Sequence, residues 1–350
     1  MKSIHVSWRE QVSLAERTTL GVGGPARWHA LAHTPAELAD HLQRAARQGL
    51  PTLVLGGGSN LLVSDAGFPG LVVEYLGERI ETLSSNGTVR LEVDAGVGWD
   101  SLVEHTVHEN LAGIECLSGI PGRVGAAPIQ NIGAYGQEVA ERLEAVLAVV
   151  RATGERVRLP AQACGFGYRW SHFKGSWLDR YVVTGVELAL IPGGASTLRY
   201  AELQKRLSAD APLEEVRRTV LAIRRSKSMV YDPTDPNHRS AGSFFMNPVV
   251  QSAQVGEGMP SWPAGEGRAK LSAAWLIEQS GFPRGFVHGR VGLSSNHSLA
   301  LINRGEASAA DLVELAGLIR RGVRERFGVT LVPEPVFIGF DRSVDELLGA

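Results

Sequence analysis

Residues 120–136 read IPGRVGAAPIQNIGAYG and combine small residues with three side chains that can hydrogen-bond a ligand. Those side chains are Gln130, Asn131 and Tyr135, and the only charge in the stretch is on Arg123. Glycine permits positive φ and lets backbone approach a ligand closely. The near absence of charge predicts burial, and buried irregular backbone needs hydrogen-bond partners that a polar cofactor can supply. The amide and phenol groups suit a pyrophosphate or a heteroaromatic ring.

A second glycine run, VLGGGSN at residues 54–60, directly follows an apolar segment. Two glycine-rich turns far apart in one chain indicate a large phosphate-bearing ligand held from two sides. The run lacks the Lys-Ser/Thr pair of a P-loop, and Leu61 stands where GxGxxG needs its last glycine. Both common nucleotide-binding loops are therefore disfavoured. For either run taken alone, a purely structural turn stays an open alternative.

The elements around these runs predict an α+β architecture. Thr34 to Glu37 has the capping-box spacing with Pro35 at the first helical position, which predicts a helix to about Gln48. Elsewhere the hydrophobic periodicity predicts strands at 51–55, 61–63, 71–73, 89–93, 145–150, 181–190, 244–250 and 330–338, and helices at 99–110, 212–226, 270–280 and 308–327. Residues 251–267 are expected to form a mobile surface loop.

Composition and charge exclude several classes of protein. The chain has 350 residues and a formal net charge of −2, which gives no general reason to expect nucleic acid or an anionic membrane as partner. Cys116 and Cys164 lack a CxxC pattern, so neither a disulfide framework nor a cysteine zinc site is expected. His105 and His108 lack an accompanying carboxylate pattern, and we expect no metal site. No secretory segment or long apolar run is visible, which predicts a cytoplasmic protein.

Six blocks of the sequence resemble one known family. They are TTLGVGGPA at 18–26, LGGGSN at 55–60, IPGRVGAAPIQNIGAYG at 120–136, FGYRWSHFK at 166–174, AGSFFMNPVV at 241–250 and LVPEPVFIG at 331–339. Over residues 18–340 the chain resembles the UDP-N-acetylenolpyruvoylglucosamine reductases, in the long form with a substrate-capping tyrosine. The resemblance implies an α+β, FAD-binding fold of the vanillyl-alcohol-oxidase (PCMH) type and not a Rossmann sheet.

The resemblance also implies a division into lobes. Residues 1–76 and 77–210 would form two FAD-binding lobes, with the C-terminal strand 329–340 packing near the first. Residues 211–328 would form the substrate-binding domain.

The activity that the resemblance implies is the reduction of UDP-N-acetylglucosamine enolpyruvate to UDP-N-acetylmuramate in peptidoglycan synthesis. NADPH would supply the hydride through non-covalently bound FAD, which performs the redox chemistry. We expect a monomer with this substrate and NADPH as its partners. Hydride addition leaves an enolate, so the protein must supply positive charge and a proton.

By the same resemblance, Arg169 pairs with the substrate carboxylate, Ser243 donates the proton, and Glu334 is the catalytic glutamate. FAD would be held by Gly56, Gly57, Gly58, Ser59, Asn60, Gly122, Gly125, Ala126, Gln130, Asn131, Gly133, Ala134 and Tyr135. The substrate would be contacted by Tyr200, Lys227, Asn247 and His297.

Two departures from the family pattern touch this site. The family commonly reads PEVRFIG at this point, where this chain has Pro335 and Val336. Met246 stands where many relatives have lysine. A proline there removes a backbone donor, which predicts an edge strand or a bulge.

Other interpretations stay open from the residues alone. Ser243 follows Gly242 as a turn serine would, and Glu334 beside prolines is typical of a solvated strand end. An FAD-dependent oxidase of a sugar or hydroxy acid on the same fold, and a non-catalytic UDP-sugar binding protein, are the alternative functions.

Overall fold

The structure is a computed structural model that describes residues 7–85 and 87–349. Residues 1–6 lie outside the described residues. They belong to the predicted lobe 1–76 and to the N-terminal segment in which no secretory signal is expected. Asn86 of the predicted lobe 77–210 does so too.

The described residues form many short strands joined by turns, together with a few helices. The strands are β1 Arg9–Ser13, β2 Pro25–Ala32, β3 Thr52–Leu55, β4 Leu61–Val63, β5 Phe68–Tyr75, β6 Ile80–Ser85, β7 Val89–Asp94, β8 Leu111–Ala112, β9 Gly133–Ala134, β10 Gln137–Glu138, β11 Leu143–Val150, β12 Arg156–Pro160, β13 Tyr181–Pro192, β14 Val249–Gln251, β15 Ser261–Pro263, β16 Arg268–Leu271, β17 Val287–His288, β18 Val291–Leu293, β19 Leu301–Asn303 and β20 Val336–Ile338. The α-helices are α1 Pro35–Arg47, α2 Trp99–His108, α3 Ala201–Gln204, α4 Leu213–Ser226, α5 Ala273–Gln279, α6 Ala309–Phe327 and α7 Val344–Leu347.

The chain divides into two compact units. The first unit comprises residues 7–11, Arg27–Gly57 and Pro69–Arg225. The second comprises Val12–Ala26, Gly58–Phe68 and the chain from Ser226 onward. The finer division into lobes 1–76, 77–210 and 211–328 stays a prediction.

The first unit is built on two β-sheets. One has the strand order β1-β2-β5-β3, and the other runs β12-β11-β13-β7-β6 with β8 paired to the end of β13. In the second sheet β13 pairs antiparallel with both β11 and β7. The apolar face of α2, with Trp99 and Leu102, packs in one core with Val93 and Leu188 of this sheet. The antiparallel pairing excludes a Rossmann sheet and confirms the α+β fold class.

The predicted start of α1 is confirmed by its hydrogen bonds. The Thr34 hydroxyl accepts a bond from the Glu37 amide at 3.2 Å, and a carboxylate oxygen of Glu37 accepts one from the His33 amide at 2.8 Å. These bonds satisfy amides that have no partner inside the helix.

The second unit gathers small sheets and helices around one apolar core. Its sheets have the orders β14-β16-β15, β17-β18-β19 and β20-β4, the last pair being parallel. Phe244 and Phe245 share the core with Leu276 of α5 and Ile319 of α6. The predicted end of α6 is confirmed, because Gly328 is in the left-handed conformation with a φ of 66°.

Several predicted boundaries in the second unit are wrong. The strand predicted at 244–250 is reduced to β14, and that predicted at 330–338 is reduced to β20. The helix predicted at 270–280 starts only after β16, and the loop predicted at 251–267 contains β15. The physical reason is that β14 is set by pairing with β16 beyond residues 252–267, which local patterns do not reveal, and that β15 is set by the same strand across a glycine-rich turn that reads as loop.

Candidate active site

The two glycine runs meet within the first unit at Gly57 and Gly122. A Cβ added at Gly57 would lie 2.8 Å from the Cα of Gly122, which is closer than real Cβ contacts allow. Gly122 itself has a φ of 114°, a region that favours glycine. At Gly56 a Cβ would lie 3.8 Å from the Ala126 side chain, an ordinary contact. The backbones of the two runs therefore touch at Gly57 and Gly122, a contact that we call the glycine cradle, and a side chain at position 57 would collide with Gly122.

The turn that follows Gly122 is fixed to the neighbouring chain. The amide of Gly125 donates to the Ala95 carbonyl and the amide of Val124 to the Val97 carbonyl, each at 2.9 Å. A Cβ at Gly125 would lie only 2.6 Å from the Cβ of Ala95. The turn is therefore held in one conformation by backbone bonds and by a close approach that needs glycine.

Burial of residues 120–136 is only partly as predicted. Val124 and Asn131 are buried, whereas Ala126 and Gly136 are exposed. Residues 120–136 therefore present part of their backbone at the surface of the first unit. An exposed surface of glycine and alanine can accept a large ligand at close range.

Asn131 organises this segment from inside. It is only 1% exposed, and its φ of 47° is rare for a residue other than glycine. Its amide nitrogen donates to Glu138 at 2.7 Å and to the Gly167 carbonyl at 3.1 Å. Its oxygen accepts from the Ala140 amide at 3.1 Å. The side chain predicted to bind FAD is thus engaged in holding its own loop.

Tyr135 lies at the tip of the β9–β10 hairpin. Tyr135 and Gly136 have φ values of 50° and 86°, and two successive positive values are typical of the tight turns preferred in hairpins. The Tyr135 ring meets Tyr200 edge to face with centroids 5.3 Å apart. Burial raises the pKa of Tyr135 to about 12, against the opposing effect of the Arg224 guanidinium. The phenol is therefore protonated at neutral pH.

Arg169 stands at the tip of a tight turn in the first unit. The backbones of Gly167 and Trp170 bond to each other at 3.0 and 3.2 Å across the turn, and Arg169 has a φ of 52°. Its guanidinium donates to the Gly133 carbonyl at 2.8 Å. The predicted carboxylate-binding arginine is thus attached to the predicted flavin segment.

Ser171 adds a further bond between these two loops. Its hydroxyl is fully buried and donates to the Ile129 carbonyl at 2.5 Å. Together with the bonds of Asn131 and Arg169, it makes the two blocks one hydrogen-bonded structure.

In the second unit Ser243 lies beside His297. The Ser243 hydroxyl oxygen is 3.4 Å from Nε2 of His297. Gly242, with a φ of 71°, turns the chain just before the serine, and the Phe244 amide donates to the Leu299 carbonyl at 2.8 Å just after it. The imidazole, whose alignment was uncertain from sequence, is thus a neighbour of the predicted proton donor.

Glu334 is on the strand segment next to Ser243. The Glu334 amide donates to the Phe244 carbonyl at 2.8 Å, and its carbonyl accepts from the Asn60 side chain at 3.3 Å. Pro335 follows at the point where the chain changes partner, because β20 pairs with β4 instead. Pro335 therefore sits at a sheet edge, where a missing donor is tolerated.

The structure places Asn247 and Lys227 near other elements of the second unit. The Asn247 oxygen accepts from the Ala273 amide at 3.0 Å, at the start of α5. Lys227 is half-buried and precedes Ser228, whose hydroxyl accepts from Asn296 at 2.9 Å. Asn296 in turn precedes His297, so the chain around Lys227 approaches the chain around the imidazole. Direct contacts of these side chains with a substrate stay a prediction.

One buried carboxylate in the first unit was not predicted from the sequence. Glu115 is only 1% exposed and accepts bonds from the side chains of Gln137 and Ser196 at 2.6 and 2.5 Å. The signal available was a lone acidic residue in an otherwise apolar run from Leu111 to Leu117.

Across residues 7–85 and 87–349, no group of three or more His, Cys, Asp or Glu side chains could hold a metal ion. In the same part of the chain, none of the helices has the length and apolar character needed to cross a membrane.

The family matches define an FAD-dependent oxidoreductase. Residues 27–160 match the family described as the FAD binding domain. Residues 233–338 match the C-terminal domain of UDP-N-acetylenolpyruvoylglucosamine reductase.

Full-length relatives specify the family. The UDP-N-acetylenolpyruvoylglucosamine reductase of Thermobifida fusca (strain YX) is 48% identical over 352 residues, covering 95% of this chain and 98% of the relative. That of Nocardia farcinica (strain IFM 10152) is 49% identical over 350 residues, covering 95% of this chain and 90% of the relative. The crystal structure of the Thermus caldophilus reductase superposes with a TM-score of 0.67 at 29% identity, covering 95% of this chain and 100% of that one. The chain belongs to the UDP-N-acetylenolpyruvoylglucosamine reductase family.

Proposed function

We propose that this flavoprotein reduces UDP-N-acetylglucosamine enolpyruvate to UDP-N-acetylmuramate, with NADPH as the hydride donor. The observation that carries the proposal is the similarity to such reductases through 95% of the chain. That similarity includes both the glycine cradle of the first unit and the segment around Ser243 in the second.

The residues of the first unit fit FAD. Glycine at positions 57 and 122 lets the backbones of the two runs approach each other closely, and the same freedom would let both backbones approach the FAD diphosphate. Gly125, Ala126 and the β9–β10 hairpin would lie against the flavin. When bound, FAD supplies hydride transfer from NADPH to the enolpyruvyl carbon.

Arg169 is proposed to bind the substrate carboxylate. Hydride addition moves electrons toward that carboxylate, and a guanidinium can pair with it through two parallel hydrogen bonds. The bond to Gly133 and the fixed turn limit the freedom of the side chain, so less entropy is lost when the substrate binds.

Ser243 is proposed to donate a proton to the carbon next to the carboxylate. An alcohol is a weak acid, but an enolate carbon is basic enough to take its proton within hydrogen-bond reach. His297 is placed to orient the hydroxyl, since its Nε2 lies 3.4 Å away. As Ser243 gives up its proton, the His297 imidazole can donate a proton to the serine oxygen.

Glu334 is proposed to stabilise the enol form. Its backbone is tied on one side to Phe244 and on the other to Asn60, which fixes where its side chain starts. Tyr200, Lys227 and Asn247 are proposed to contact the nucleotide-sugar part of the substrate.

We also propose that the protein acts as a monomer in the cytoplasm. Cys116 and Cys164 are free and buried, which fits a reducing compartment. Sedimentation of the purified holoprotein at several concentrations tests the monomer.

Anaerobic spectroscopy tests the proposed reaction. The purified protein should show bound flavin, lose the flavin absorbance on addition of NADPH and regain it on addition of UDP-N-acetylglucosamine enolpyruvate. A colourless protein would contradict both the reductase and the oxidase. Bleaching without recovery on substrate addition would reject only the substrate, and recovery with oxygen and a sugar product would favour the oxidase.

A further inference from the structure

The buried carboxylate of Glu115 links two segments of the first unit. One oxygen accepts bonds from the Gln137 amide at 2.6 Å and the Ser196 hydroxyl at 2.5 Å, and the other accepts from the Gly113 amide at 2.6 Å. With donors on both oxygens the carboxylate is well compensated for its burial. It is not among the residues assigned above to flavin or substrate.

The first segment that Glu115 holds is the β9–β10 hairpin. Gln137 is fixed at both ends of its side chain, because its amide nitrogen donates to Glu115 and its oxygen accepts from the Cys116 amide at 2.8 Å. Gln137 lies two residues after Tyr135 and pairs with Ala134 across the hairpin. Anchoring Gln137 therefore fixes the position of the turn that carries Tyr135.

This turn needs external support. Tyr135 has a φ of 50°, and the left-handed region is unfavourable for any residue with a Cβ. Such a conformation persists only where surrounding contacts determine it. The anchored Gln137 side chain is one such contact, and the Tyr200 ring is another.

The second segment that Glu115 holds leads to Tyr200. Ser196 lies four residues before Tyr200 in a stretch without regular secondary structure up to α3. A bond from its buried hydroxyl to Glu115 therefore restrains a segment that lacks backbone ladder bonds. Both members of the aromatic pair are thus tied to the same carboxylate.

We propose that Glu115 is a positioning residue that sets the geometry of the Tyr135 and Tyr200 pair and thereby the affinity for the nucleotide-sugar substrate. The effect on affinity rests on the proposed function, in which Tyr200 contacts the substrate. The effect on the geometry of the Tyr135 and Tyr200 pair is independent of the proposed function.

The main test is Glu115→Gln in the FAD-loaded protein. Glutamine has the shape of glutamate, but its NH2 group replaces one accepting oxygen and faces the donors that surround position 115. With FAD at saturation, we expect the KM for UDP-N-acetylglucosamine enolpyruvate to rise by about 5- to 30-fold. Amide hydrogen exchange within 130–140 and 196–204 should become faster.

Two further variants separate positioning from simple destabilisation. Glu115→Gln combined with Gln137→Glu restores the carboxylate and amide in reversed order, and it should recover most of the lost affinity and slow the exchange again. Glu74→Gln removes another carboxylate of the same unit, which bonds His29 at 2.8 Å, and should leave the KM unchanged. If Glu115→Gln does not fold, Ser196→Ala tests the same link with a smaller expected rise in KM.

Unchanged exchange in both peptides would overturn the proposal, as would an unchanged KM or an equal rise in KM for Glu74→Gln. If wild-type protein fails to reduce the substrate, the proposed function is wrong. The exchange measurement then still decides whether Glu115 positions the pair.

Discussion

Gly57 and Gly122 approach each other so closely that a methyl group on the first would lie 2.8 Å from the Cα of the second. The two positions are far apart in sequence, and the approach involves backbone that cannot swing away as a side chain can. The adjacent Gly56 has room for a methyl group. Gly56 and Gly57 therefore allow a matched test, because a methyl group fits at the first position and collides at the second.

We predict that Gly57→Ala weakens FAD binding, whereas Gly56→Ala has little effect. Forcing a methyl group into the contact costs about 1–3 kcal/mol, which corresponds to a loss of affinity of about 5- to 150-fold if the strain falls on the FAD-bound form. Flavin absorbance per polypeptide after dialysis measures the difference. Equal FAD content in the two variants would contradict the cradle.

Ser243→Ala should separate the two halves of the reaction. The variant lacks the proposed proton donor, so turnover should fall by about 10²- to 10⁴-fold while NADPH still reduces the flavin at the wild-type rate. Ser252→Ala, which removes an exposed hydroxyl in the same unit, is the control. Stopped-flow absorbance follows each half separately, and near wild-type turnover of Ser243→Ala would remove the serine from the mechanism.

Arg169→Lys should retain FAD and lose catalytic efficiency. Lysine keeps the charge but cannot form two parallel bonds to a carboxylate, so kcat/KM should fall by about 10²-fold, which is roughly 3 kcal/mol of transition-state stabilisation. Arg158→Lys alters an exposed pair with Glu187 and should not change kcat/KM. An equal fall in kcat/KM for the two variants would show that Arg169 has no specific role in binding the carboxylate.

Asp100 should make stability depend on pH. Burial acts to raise its pKa, but the Arg217 guanidinium at 2.6 Å and the Gly119 amide outweigh that effect and hold the pKa below its ordinary value. A lowered pKa means that the contribution to stability is present above the unfolded pKa of about 3.9 and is lost as the pH falls through the folded value.

Asp100→Asn should therefore lower the free energy of unfolding at pH 7, and the difference from wild type should shrink below about pH 4. The carboxylate is partly exposed, so we expect no more than about 1 kcal/mol. Urea unfolding from pH 3 to 7 measures it. Glu104→Gln, at an exposed carboxylate 3.5 Å from Arg217, should change little, and a constant Asp100→Asn difference across this range would rule out the titration.

Local sequence signals predicted the elements whose bonds are local. The cap at Thr34 and the left-handed Gly328 lie within a few residues of the helices that they delimit, so capping rules were sufficient. Strand β15 was missed because its Gly- and Pro-rich surroundings resemble a loop, and only pairing with β16 makes it a strand. The bounds of β14 depend on the same strand, which lies beyond residues 252–267, and local propensity cannot report such a partner.

The membership of the candidate site stays a prediction, and its internal bonds could not be predicted. The blocks around Arg169 and Ser243 supplied both residues as candidates. That the Asn131 side chain bonds the Gly167 carbonyl, and that Asn247 bonds the start of α5, depends on long-range contacts. The role of Glu115 was hidden for the same reason, because its partners Gln137 and Ser196 are remote in sequence.

Asn131, Tyr135 and Arg169 share one feature that bears on protein engineering. Each has a positive φ without being glycine, and glycine at such positions relieves unfavourable backbone energy of about 1–2 kcal/mol. A search for thermostable variants guided by backbone geometry would therefore choose these three positions among the first. Each replacement would also remove bonds or ring packing that hold the loops of the candidate site, and the loss of a buried hydrogen bond costs about 1–3 kcal/mol. Glycine variants at these positions should therefore be less stable as well as poorer catalysts, and a search guided by backbone geometry alone would fail here.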